Sequence, residues 1–132
     1  MTAWDTIRAA LAVHRTLTNE DAWCGVIIEH DGEQQKVVLE PIPALRCLLL
    51  VAHVCKVPAI HPGDALRYNA RSTRGHLAIE RDGYILRDVR ALALDGVEPA
   101  IEDLAREAIR LRRAGIARET TIATAPFLHL AD

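Results

Sequence analysis

At 132 residues and 14.6 kDa the chain has the size of one domain, since globular domains usually hold roughly 100 to 150 residues, and two sizeable domains are excluded. Apolar residues at 50% and charged residues at 26% supply a core and a solvated surface and exclude a disordered chain, while 4% aromatics leave few rings for stacking on bases or sugars. Sixteen basic against eighteen acidic side chains give a net charge of -2, which excludes general electrostatic attraction to nucleic acid or an anionic membrane.

Trp4, Ile7, Leu11 and Leu17 recur near helical spacing, so Thr2 to Leu17 is predicted as a helix, opened by Thr2 and Asp5 as a capping box with the shorter acid. Leu17-Thr18-Asn19-Glu20-Asp21 ends that pattern. The run CGVIIEHDGEQQKVVLE then reads as two strands turning at His30-Asp31-Gly32-Glu33. Pro41 and Pro43 separate it from ALRCLLLVAHVCKV, a third strand apolar on both faces and therefore expected to be central or covered on both sides. Its core CLLLVAHVC is about half the length a membrane helix needs and is interrupted by His53.

Pro58, Pro62 and Gly63 form a breaker-rich link into DALRYNA, a short helix capped by Asp64. From Gly75 the alternation HLAIERDGYILRDV predicts a second hairpin turning at Arg81-Asp82-Gly83. After LALDGVEP, with Pro99 at a first helical position, Ile101, Leu104, Ala105, Ala108, Ile109 and Leu111 make the apolar stripe of a final helix ending near Gly115. The order is α-β-β-β-α-β-β-α, an α+β single domain over residues 1–115 with one antiparallel sheet and flanking helices, followed by a C-terminal tail over 116–132.

Three cysteines, Cys24, Cys47 and Cys55, form no CxxC and are too sparse for a disulfide scaffold, and MTAWDTIRAALAVHR lacks the order of a signal peptide. A cytoplasmic location is the expectation.

From Asp64 to Arg113 the stretch DALRYNARSTRGHLAIERDGYILRDVRALALDGVEPAIEDLAREAIRLRR resembles the type III secretion chaperone fold, including the YbjN-like proteins, in its short helix, Gly-preceded hairpin, acidic-Gly turn and long last helix. The resemblance rests on order and length, and it extends over most of the chain if the first helix and Ala22 to Val57 supply the remaining elements. It implies binding without chemistry: an unidentified protein client held as an extended segment by apolar patches and exposed sheet edges, and a homodimer. Carried onto this chain, it makes Trp4, Ile7, Leu11, Val26 and Ile28 the partner-binding candidates and Leu104, Ala108 and Leu111 the dimer-packing candidates. The same stripes also suit an internal core, the first-helix stripe more readily than a recognition surface. Two features depart from the family: the amino region is short and Pro-rich after Glu40, and fourteen arginines bring the charge close to balance where those proteins are often acidic.

Catalytic, metal and cofactor sites are not expected. Ser72, the only serine, lies in RSTR without a GxSxG elbow. Cys47, His53 and Cys55 share strand parity, the last two about 6.6 Å apart along an extended strand, but the apolar run assigns them to a core. Glu29, Asp31 and Glu33 lack cation-loop spacing and suit a solvated hairpin, and the glycines form no phosphate cradle. Glu102 and Asp103 suit the start of the last helix, and Arg110, Arg112 and Arg113 its end. The alternative to a protein client is RNA or DNA, held by Arg67, Arg71 and Arg74, joined by Arg81 and Arg87, with Tyr68 as a stacking surface.

Overall fold

The computed structural model describes residues 2–13, 16–56, 60–72, 75–81 and 83–124, with the backbone alone for 16, 17 and 115–124. Helix α1 spans Ala3–Ala12, α2 Pro62–Arg71 and α3 Val97–Thr124; the strands are β1 Thr16–Asn19, β2 Cys24–His30, β3 Glu33–Ile42, β4 Cys47–Lys56, β5 His76–Glu80 and β6 Gly83–Ala91. They form one antiparallel sheet in the order β1-β2-β3-β4-β6-β5. The fold is therefore α+β as expected, with one strand more than the sequence suggested.

That extra strand is β1. The predicted first helix stops at Ala12, and Thr16 to Asn19 pairs with β2 instead. Residue 17 lies six positions after Leu11, off the helical period, and the threonines around it favour extended backbone. The capping box itself forms: the Thr2 hydroxyl accepts from the Asp5 amide at 3.1 Å, and the Asp5 carboxylate accepts from the Thr2 amide at 3.2 Å. The Arg8 guanidinium, and then Thr2, pull the Asp5 carboxyl down to about 2. α1 is pinned to the turn before β2, because Trp4 Nε1 donates to the Asp21 carbonyl at 2.7 Å and Arg8 donates to the Glu20 carbonyl at 3.2 Å.

The β2–β3 hairpin turns where predicted. His30 pairs with Glu33, and the two central residues both have positive φ, 51° at Asp31 and 78° at Gly32, the pattern of a type I′ turn that matches strand twist. β4 lies at the centre of the sheet between β3 and β6, which accounts for its apolar run.

All three helices pack on one face of the sheet. Leu48, Leu50, Ala52 and Val54 of β4, Val37 and Leu39 of β3, and Leu86 of β6 share a core with Ile7 of α1 and with Val97, Ile101, Leu104, Ala105 and Ala108 of α3. Alternation along the strands sends the intervening residues to the opposite face. No described helix is long and apolar enough to cross a membrane.

α3 runs through Gly115 to Thr124, so Arg110, Arg112 and Arg113 lie within the helix and not at its end. Their partners are distant in sequence. Arg113 Nε pairs with Glu33 at 2.7 Å and Arg113 Nη1 with Asp31 at 3.5 Å, so the acidic hairpin read as merely solvated is an anchor for the helix. Arg112 reaches where β3 and β4 cease to pair, beyond the Val37–Ala52 pair. There Arg112 Nη1 donates to the Val54 carbonyl at 3.1 Å and to Gln35 Oε1 at 3.0 Å, while Gln35 Nε2 donates to the His53 carbonyl at 3.0 Å. Gln35 is buried, so these bonds satisfy groups that water does not reach.

Replacing Arg112 by alanine is expected to cost about 1–3 kcal/mol, because buried acceptors lose their donor. Arg106→Ala, whose pairs with Glu102 and Asp103 are exposed at 3.5 and 3.8 Å, is expected to cost under about 1 kcal/mol. Urea unfolding of both variants measures the difference; equal costs would contradict the role given to Arg112.

Candidate partner-binding surfaces

Partner-binding candidates from the sequence land inside the molecule. Trp4, Ile7 and Leu11 of α1 and Val26 and Ile28 of β2 are at most 7% exposed and form one cluster between that helix and the sheet. Leu104, Ala108 and Leu111 of α3 are likewise at most 8% exposed and face the same core. Of the two uses open to each stripe, the structure takes internal packing, because α1 and α3 need those faces to cover the sheet. Surfaces available to a partner have to be sought elsewhere.

The helix-free face of the sheet is the first. Along β4, Leu49 and Val51 point away from the helices and are only half-buried by their neighbours. Val38 of β3 lies opposite Val51, Leu49 lies opposite Val89 of β6, and Ile42 lies opposite Cys47. Val89 is 59% exposed. This apolar belt is bordered by Lys36, Glu40 and Arg87, all exposed. At the Gly25 end the missing side chain lets Lys36 cross the strand, since a Cβ there would stand 2.8 Å from Lys36 Cε, and the ammonium sits 5.3 Å from the Trp23 ring centre. β4 is thus central as expected, but helices cover only one of its faces. The signal was present in CLLLVAHVC, whose apolar residues occupy both parities.

A cleft of about 1380 Å³ between α2, α3 and β6 is the second. Its chemistry is that of compensated charge. Arg67 pairs with Asp64 at 2.9 Å, Arg110 with Glu107 at 2.6 Å and Arg90 with Asp88 at 3.9 Å. Tyr68 of α2 donates to Glu107 of α3 at 2.7 Å, tying the cleft's two walls together.

The arginine strip proposed for nucleic acid is not one surface. Arg67 and Arg71 line this cleft, Arg81 sits at the β5–β6 turn, and Arg87 lies on the opposite, helix-free face. Arg74 lies outside the described residues. Cys47, His53 and Cys55 do not converge either. A register shift between His53 and Cys55 breaks the strand's alternation and turns Cys55 towards the core. Ser72 caps α2 and donates to the Gly75 carbonyl at 2.6 Å. Among the described residues no group of three or more His, Cys, Asp or Glu side chains is placed to hold a metal ion.

Known structures share this architecture. The chain has the type III secretion chaperone fold. It is similar to the HopA1-SchA chaperone-effector complex, with a TM-score of 0.66 and 13% identity over 84% of this chain and 94% of the matched one. The Yersinia pestis type III secretion chaperone SycH, in complex with a stable fragment of YscM2, gives 0.58 and 18% over 83% and 96%. The ExsC-ExsE complex gives 0.63 and 16% over 86% and 96%. No family model matches the chain, and no curated protein matches it. The likeness is thus one of fold, with little sequence in common.

Both tyrosines of the chain are held protonated beyond their ordinary range. Burial, and then the bond to Glu107, push the Tyr68 hydroxyl up to about 12, and burial raises Tyr84. A raised folded-state value means that Tyr68's contribution is complete below about pH 10 and is lost as pH rises through about 12. Tyrosinate absorbance of the folded chain is expected to lag that of the urea-unfolded chain; coincident titration curves would contradict these environments.

Proposed function

We propose that this protein is a non-enzymatic, cytoplasmic binding domain that shields an apolar, extended segment of a protein client, and that it works as a homodimer. The observation that carries this reading is the helix-free sheet face. Val38, Leu49, Val51 and Val89 form an apolar belt with a charged border, and a protein of this size leaves such a belt open at a cost in solubility unless it has a partner. The fold supports it, since the three similar structures named above were determined as complexes, one of them called a chaperone-effector complex. The client identity suited to this face is an extended segment with apolar side chains at alternate positions, because a strand lying on a sheet presents one face every second residue. The scattered and largely compensated arginines favour a protein over RNA or DNA.

The test begins with capture of the client from the native cell and a direct measurement of its affinity. Val51→Lys puts a charge in the middle of the belt without entering the helix-covered core. It is expected to leave the circular dichroism spectrum unchanged and to weaken client binding about tenfold or more. Light scattering is expected to give twice the 14.6 kDa chain mass. Client binding unaffected by Val51→Lys, or tight RNA binding with no client, would overturn the proposal.

A further inference from the structure

One edge of the sheet is closed by a side chain of α2. β5 forms one edge and pairs with β6 only on its inner side, with Leu77 opposite Leu86. Leu77 directs its own amide and carbonyl away from β6, as alternate residues of an antiparallel edge strand do, and both are bonded to the side chain of Asn69 on α2. The Leu77 amide donates to Asn69 Oδ1 at 2.7 Å, and Asn69 Nδ2 donates to the Leu77 carbonyl at 2.9 Å. A carboxamide offering one acceptor and one donor in this way presents the same pair of groups as a peptide unit of an adjoining strand. Two residues earlier on the same edge, Ser72 donates to the Gly75 carbonyl at 2.6 Å. Alternation leaves Ile79, 61% exposed, as the next outward-facing residue before the turn.

We infer that Asn69 is an edge lock: its side chain occupies the place of a seventh strand on β5 and blocks strand pairing with other chains at that edge. β1, at the other edge, is four residues long, and its pairing with β2 is irregular between Thr16 and Thr18. An unprotected edge is a template for pairing with a second copy, so the lock suppresses self-association through β5. This inference rests on the hydrogen bonding of the edge and stands whether or not the helix-free face binds a client.

Asn69→Ala removes both bonds, and Asn69→Asp keeps the shape while replacing the donor by a second acceptor facing the Leu77 carbonyl. In the full-length variants, hydrogen exchange of the Leu77 amide is expected to accelerate about tenfold or more relative to that of Leu50 in β4 for Asn69→Ala. Light scattering is expected to show Asn69→Ala and Asn69→Asp forming species larger than the wild type as concentration rises. Adding Ile79→Pro, which removes an outward N–H without touching the β6 ladder, is expected to return the mass to that of the wild type. Unchanged Leu77 exchange in Asn69→Ala would show that Asn69 does not hold this edge. Accelerated exchange with wild-type mass in both variants would show that it holds the edge without guarding it.

Discussion

Three helices cover one face of a six-stranded sheet, and everything else about the molecule follows from that asymmetry. α3 spans the middle of the sheet, α1 covers the β1–β2 end and α2 the β5 end. The apolar stripes of α1 and α3 are therefore committed to the core. Any apolar side chain of the opposite parity on the central strands stays at the surface, which is why Leu49 and Val51 are half-buried while their neighbours Leu48 and Leu50 are fully buried.

Polar groups fix the helices to this layer at its ends, where apolar packing gives out. Arg8 and Trp4 hold α1 to the segment before β2. Arg112 and Gln35 take up the carbonyls freed where β3 and β4 part, and Arg113 grips the β2–β3 turn. Tyr68 links α2 to α3 through Glu107, and Asn69 links α2 to β5. Each link joins elements that apolar burial alone would leave free to slide, since area burial carries little directional preference.

Much of the fold was legible because local chemistry and tertiary structure agree. Asp31-Gly32 marks a turn by its tolerance of positive φ, and the capping box at Thr2 marks a helix start. β1 was missed because four residues at a sheet edge carry too short a pattern, and Leu17 was drawn into the preceding helical stripe. The candidate surface was misplaced for a different reason. Periodicity reports that Trp4, Ile7, Leu11, Leu104 and Leu111 share helix faces, but not whether those faces meet the sheet or a second molecule. The roles of Arg112, Asn69 and Glu107 depend on contacts spanning 8 to 77 residues, which one sequence does not display.

The alternation along β4 makes the central claim directly measurable. With methyl-labelled protein and the captured client, intermolecular nuclear Overhauser contacts are expected at Val38, Leu49, Val51 and Val89 and not at Leu48, Leu50 or Val54, their neighbours on the helix-covered side. Contacts confined to the helix side, or none at the belt in a complex that forms, would contradict the assignment of the helix-free sheet face to a protein partner.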